Sequence, residues 1–223
     1  MSVSFLCVLS STHSQSSLNV TVSITDLGDG FIRDAFIIRD ARVTLYSLDR
    51  ILQATVDSEG HYRFDQVPAG VYELEVARGG YKTVTRNLNV ADQPADQPIF
   101  LKIQMRIANA DCYNGDSVFY DPPSATAGAT VNGTVVEIKN DRSKALITNA
   151  QVALFSADVK VSEQQTDQRG AFDFKSVAPG RYLIVVTHPR YRELRSSVFW
   201  VARENRTRIT LEPIPADKIR VCE

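Results

Sequence analysis

The sequence predicts an all-β chain built as two tandem seven-stranded Greek-key β-sandwiches. The first observation behind this is an internal repeat. At a constant offset of 110, Asp167, Gly170, Phe174, Val177, Gly180, Tyr182, Val186 and Tyr191 stand opposite Asp57, Gly60, Phe64, Val67, Gly70, Tyr72, Val76 and Tyr81. The second is apolar/polar alternation with period two in short runs rich in β-branched and aromatic residues. The third is turn chemistry recurring every ~8 to 12 residues, the spacing of sandwich strands.

The chain has 223 residues, 43% of them hydrophobic, enough for one large core or two small ones, and the repeat selects two. The predicted division is a leader at 1–17, a first sandwich at 18–105, a linker at 106–128 and a second sandwich at 129–223.

In chain order, Met1–Leu9 is an apolar run followed by the polar Ser10–Ser17, a pattern similar to a short secretory signal without its charged n-region. The first strand is placed at 18–26, with Leu18, Val20, Val22 and Ile24 on one face. The apolar cluster of Phe31, Ile32, Phe36, Ile37 and Ile38 is read as a loop covering one end of the sandwich. Strands follow at 41–47 and 51–56. Asp57-Ser-Glu-Gly60 is a turn, because the aspartate can accept from the backbone two residues on and the glycine tolerates positive φ. Tyr62 and Phe64 then point inward, and Pro68 and Gly70 reverse the chain. The clearest strand is Val71–Val76, with Tyr72, Leu74 and Val76 on the core face and Glu73 and Glu75 on the other. Strands at 83–90 and 99–105 complete the first sandwich.

Asn-Gly, Asp-Pro-Pro and small residues fill 106–128, where no apolar period is visible, so this is read as linker. The second sandwich is expected to start at Thr130–Val136 and to continue at 150–156, 159–166, 171–177, 181–187, 194–202 and 206–211. Tyr182, Ile184 and Val186 repeat the core face, but Leu183 and Val185 replace Glu73 and Glu75. An apolar outer face at Leu183 and Val185 is a candidate interface.

Composition excludes several functions. Lys and Arg number 25 against 26 Asp and Glu, so no overall field attracts nucleic acid or an anionic membrane. No apolar run reaches the ~18 to 20 residues of a spanning helix. The three cysteines form no Cys-x-x-Cys pair and so no cysteine zinc site. Cys112 and Cys222 follow the ends of the two repeats at equivalent positions and are candidates for a disulfide in an oxidising compartment, the alternative being two free thiols. The histidines are His13, His61 and His188, and no His-Glu-x-x-His motif or spaced nucleophile and base accompanies them. Asp26, Asp29 and Asp34 lack calcium-loop spacing. No cofactor is predicted. Sequons start at Asn19, Asn132 and Asn205, two of them at strand edges.

Val131-Asn-Gly-Thr-Val135, Asn149-Ala-Gln-Val-Ala-Leu154, Thr166-Asp-Gln-Arg-Gly-Ala-Phe-Asp-Phe174, Val177-Ala-Pro-Gly-Arg-Tyr182 and Tyr191 together resemble a carboxypeptidase regulatory-like domain. The first copy matches through Ala41-Arg-Val-Thr-Leu45, Val56-Asp-Ser-Glu-Gly-His-Tyr-Arg-Phe64 and Val67-Pro-Ala-Gly-Val-Tyr72, and departs in its first strand, where Ser23 or a neighbour replaces a glycine. The resemblance implies a transthyretin-like (prealbumin-like) sandwich, similar to Cna B-type and starch-binding-like modules. It also implies a non-catalytic module, frequent in secreted, periplasmic or surface proteins of bacteria. Hydroxyisourate hydrolase shares this fold, but its C-terminal Tyr-Arg-Gly-Ser is absent here.

The expectation is therefore an exported, non-enzymatic spacer or interaction module with a protein or glycan partner. For the glycan alternative the candidates are Trp200, Phe199 and Tyr120, with Tyr113 and Phe119 nearby, because such modules stack sugars on exposed aromatic rings.

Overall fold

The computed structural model describes residues 17–26, 37–90, 98–107, 115–126, 128–139 and 141–217, and among them it contains strands and turns but no helix. The first half carries β1 (Ser17–Asp26), β2 (Arg42–Tyr46), β3 (Ile51–Gln53), β4 (Thr55–Val56), β5 (His61–Pro68), β6 (Gly70–Ala77), β7 (Val84–Val90) and β8 (Ile99–Met105). The second carries β9 (Asp116–Tyr120), β10 (Thr130–Ile138), β11 (Lys144–Leu146), β12 (Gln151–Ser156), β13 (Val159–Gln165), β14 (Ala171–Phe174), β15 (Gly180–His188), β16 (Tyr191–Arg195), β17 (Phe199–Val201) and β18 (Arg206–Leu211).

In the first sandwich a β4-β5-β1-β8 sheet faces a β3-β2-β6-β7 sheet. Between them lies one core drawn from both, including Val20, Val22, Leu45, Phe64, Leu74, Val76 and Met105. The second repeats the plan with β11-β10-β18-β9, β14 pairing with β10, against β13-β12-β15-β16, β17 pairing with β15. Its core holds Val131, Leu154, Phe172, Ile184, Phe199 and Ile209. In each copy the first long strand pairs in parallel with the last, β1 with β8 and β10 with β18.

The repeated residues act as framework. Asp57 Oδ1 accepts from the Glu59 and His61 amides, both at 2.9 Å, and Asp167 Oδ1 accepts from Arg169 and Ala171 at 2.7 and 2.8 Å. Gly60 and Gly170 close these turns with φ of 88° and 64°. The carboxyls of Asp57 and Asp167 are held below their usual range, chiefly by these backbone donors. Tyr72 donates to Pro68 O at 3.0 Å and Tyr182 to Ala178 O at 2.7 Å, so each buried ring ties its strand to the preceding turn.

Three expectations need correction. Seven strands per sandwich become eight and ten among the described residues. The 51–56 strand divides at Ala54 into β3 and β4, which belong to different sheets, and the 194–202 strand gives way to β16 and β17. The supposed linker is not free of structure: β9 lies within it and pairs antiparallel with β18 from Thr207 opposite Tyr120 to Leu211 opposite Asp116. Five residues between an Asn-Gly and an Asp-Pro-Pro are too few to show a period; the strand exists because β18 offers a free edge. The glycine comparison also sharpens. Gly133 lies between Phe172 and Ile209, and a Cβ there would sit 2.0 Å from Ile209 O and 2.8 Å from Phe172 Cζ. Val22, not Ser23, holds the matching place, between Tyr62 and Leu101.

Candidate functional site at the joint between the two sandwiches

Strand alternation sends Val43 and Leu45 of β2 into the first core and leaves Thr44 and Tyr46 on the outer side. On β17 the same rule sends Phe199 and Val201 inward, and Trp200 out. These outer sides meet. Tyr46 stacks on Trp200 with centroids 5.3 Å apart and 14° between planes, and Tyr120 meets Tyr46 edge-on at 5.9 Å and 80°. Tyr46, Ile51, Tyr120 and Ala202 form a third buried cluster, with Val118 and Trp200 packed against it.

Polar groups frame these rings. The Tyr46 hydroxyl donates to Glu75 Oε1 at 3.1 Å, and the Trp200 amide donates to the Tyr120 hydroxyl oxygen at 3.2 Å. Arg181 lies over the Trp200 ring, 4.9 Å from its centroid, and pairs with Glu73. Asn205, fully buried, accepts from the Ile51 amide at 2.7 Å and donates to Ile51 O at 3.0 Å and Asp121 O at 2.7 Å. Beside it Arg203 N donates to Leu48 O at 3.1 Å and Glu204 N to Asp49 O at 2.8 Å. Arg50 pairs with Glu204 at 3.0 Å, and Arg203 with Asp49. Burial, then the neighbouring Tyr120 and Glu75, push the Tyr46 phenol far above its ordinary value, so it stays a neutral donor. Burial likewise raises Tyr120.

The structure places the sequence candidates as follows. Phe199 is 1% exposed in the second core, and Tyr120 is 7% exposed in the joint. Neither presents a ring to a sugar. Trp200 is half-buried, with Tyr46 stacked on it and Arg181 over its ring. Val185 is 8% exposed and Leu183 half-buried on β15, opposite Ala153 and Phe155, and neither is among the residues clustered at the joint. The glutamates they replace do face the joint, Glu73 through Arg181 and Glu75 through Tyr46. Cys112, Cys222, Tyr113, Asp29, Asp34, the leader and most of the 31–40 loop lie outside the described residues. Among the described residues no group of three or more His, Cys, Asp or Glu side chains could hold a metal ion, and no helix is long and apolar enough to cross a membrane.

Sequence reasoning missed Tyr46, Ile51 and Asn205. Ile51 and Asn205 are 154 positions apart, and nothing local in either segment signals their pairing. Asn205 carried only a sequon reading. A cleft of about 450 Å³ opens next to the joint, lined among others by Arg42, Gln53, Asp116, Phe119 and Val198. Phe119 is 53% exposed there, and the Asp116 carboxyl, raised by burial, accepts from Ser197 N and Oγ, each at 3.2 Å.

The family described as carboxypeptidase regulatory-like domain matches residues 20–103 and again 130–212. Among curated proteins nothing matches this chain. Among solved structures, it is similar to the Bacillus anthracis TIE protein at 11% identity and a TM-score of 0.33, covering 90% of this chain and 34% of that one. The chain thus spans about a third of that protein's length. GBS52, the minor pilin of Streptococcus agalactiae, gives 12% identity and a TM-score of 0.34 over 93% of this chain and 100% of that one. The shaft pilin SpaA of Lactobacillus rhamnosus GG gives 12% and 0.32 over 91% and 99%.

Proposed function

Because the chain belongs to the carboxypeptidase regulatory-like domain family, in two copies, we propose that it is a non-catalytic, exported protein whose paired sandwiches serve as a structural spacer for a protein partner. The observation that carries this reading is the joint. A stacked Tyr46–Trp200 pair and a fully buried Asn205 hold one sandwich against the other, which suits an element that keeps distance and orientation. Interfaces between domains of one chain are ordinarily more polar and permit relative motion, so a buried aromatic cluster marks a joint selected for fixed geometry. Spin labels on β7 and β13 test this. A single narrow distance distribution that broadens in Trp200→Ala is expected; a broad distribution in the unmodified chain would remove the spacer reading. Export, which the family resemblance supports, is read by fractionating cells that produce the protein.

A second reading, glycan binding, keeps one observation in its favour. Phe119 is the exposed ring beside Arg42, Gln53 and Asp116, a combination of stacking surface and polar donors and acceptors that suits a sugar. Glycan-array binding abolished by Phe119→Ala would support it, and uniformly negative signals would discard it.

A further inference from the structure

A cleft of about 630 Å³ opens on the first sandwich, lined by residues of β1, β7 and the end of β8. Strand alternation turns Val22, Ile24 and Ile103 into the core, so Ser23 and Thr25 of β1 face the other way with their register partners Lys102 and Gln104 of β8. Arg106 follows β8. Its carbonyl accepts from the Lys82 amide at 2.9 Å, which holds it near the entry to β7, and β7 itself contributes Arg86. No Asp or Glu is among the lining residues. Asp26, next to Thr25, lies on the opposite face of β1 and accepts from the Tyr81 hydroxyl at 2.7 Å. Elsewhere in this sandwich Arg42, Arg63 and Arg78 each pair with a carboxylate; among the described residues none of Arg86, Lys102 and Arg106 does. All three are exposed, above the half-buried hydroxyl residues Ser23 and Thr25.

The second copy shows that the fold does not require these cations. Ser23 pairs with Lys102 as Thr134 pairs with Thr210, and the Lys82 amide bonds Arg106 O as the Arg192 amide bonds Ile214 O. Val76 pairs with Val84 as Val186 pairs with Leu194, which sets Arg86 in the place of Ser196. Arg86, Lys102 and Arg106 thus become Ser196, Thr210 and Ile214, and Gln104 becomes Glu212, while the turn and core residues around them repeat. Like charges gathered without a counter-charge oppose folding, and a chain with 26 acidic residues against 25 basic ones has carboxylates to neutralise them. We propose that the cleft is a binding site for a ligand carrying two or more phosphate groups. Two guanidinium forks, an ammonium, two hydroxyls and an amide offer more donors than one carboxylate can accept, and they suit the several oxygens of linked phosphates. The site is separate from the joint, so the spacer reading stands or falls without it.

Titration calorimetry of the full chain with tripolyphosphate, orthophosphate and citrate tests this. Tripolyphosphate is expected to bind at a single site, more tightly than orthophosphate or citrate by roughly tenfold or more, and to weaken as salt is raised. Arg86→Ala, Lys102→Ala and Arg106→Ala are each expected to weaken it by roughly tenfold, since each removes a charge-assisted contact. These side chains are exposed and unpaired among the described residues, so urea unfolding of the variants should match that of the unmodified chain. Arg169→Ala, an exposed arginine in a turn of the second sandwich, is expected to leave binding unchanged. No heat with tripolyphosphate, equal affinity for citrate, undiminished binding after loss of all three cations, or an equal loss in Arg169→Ala would each overturn the proposal.

Discussion

Asn205 and Ile51 exchange two hydrogen bonds across the joint, Nδ2 to Ile51 O at 3.0 Å and the Ile51 amide to Oδ1 at 2.7 Å. One side chain thus does for Ile51 what a neighbouring strand would do. Asn205→Ala strands the Ile51 amide and two carbonyls in a buried setting. Each orphaned group costs ~1 to 3 kcal/mol, so a loss of about 3 kcal/mol in urea unfolding is expected after partial relaxation. A loss under about 0.5 kcal/mol would mean that water takes over the bonds.

The same burial silences a modification signal. Asn205-Arg-Thr207 reads as a sequon, yet Asn205 and Thr207 are both 0% exposed. When the folded protein is offered to a eukaryotic glycosylation extract, no mass increase is expected on the peptide holding Asn205.

Trp200→Ala removes the surface on which Tyr46 stacks and leaves Arg181 without its ring. Because the indole is half-buried, a loss of about 2 to 3 kcal/mol is expected, below that of a core aromatic. The more telling readout is cooperativity: calorimetry should resolve two transitions, one per sandwich, where the unmodified chain unfolds in one.

Thr44 is fully buried, and its hydroxyl has no hydrogen-bond partner. Valine keeps the β-branched shape and removes the stranded group. Thr44→Val is therefore expected to stabilise the chain by about 1 kcal/mol, read as a higher urea midpoint with unchanged slope.

Asp116 carries the pH dependence of the joint's rim. Burial raises its carboxyl above the ordinary 3.8, against the opposing pull of the Ser197 donors. The folded chain therefore holds this proton more tightly than the unfolded chain does. Stability falls as pH rises from 3.8 through the folded value and stays lower above it. Asp116→Asn keeps an oxygen for Ser197 and removes the charge. Its melting temperature at pH 7 should equal or exceed that of the unmodified chain, with a flatter profile in the acid range; a lower value at pH 7 would sink this account.

The fold was legible because its signals are local. Asp57 and Gly60, Pro68 and Tyr72 act on neighbours within a few positions, and their echoes at Asp167, Gly170 and Tyr182 doubled the signal. β9 was not legible, since five residues show no period and their partner β18 lies some ninety positions later. The joint was half legible. Trp200 was picked out as the residue that must face away from the core, but Tyr46 looked like any strand aromatic. Only the assembled sheets bring the two rings together, which turns the expected sugar platform of Trp200, Phe199 and Tyr120 into packing surface. Glu73 and Glu75 against Leu183 and Val185 marked a real difference between the copies, and it is the glutamates that reach the joint.

The parallel pairing of first and last strands has a mechanical consequence. The chain enters the first sandwich through β1 and leaves it through β8, side by side and pointing the same way. Tension applied along the chain pulls the start of one strand against the end of its neighbour. The backbone bonds of the pair are then strained together in shear and not peeled open in succession. The first sandwich is thus a clasp loaded in shear, whereas in the second the paired ends Asp116 and Leu211 of β9 and β18 take the pull first and peel apart.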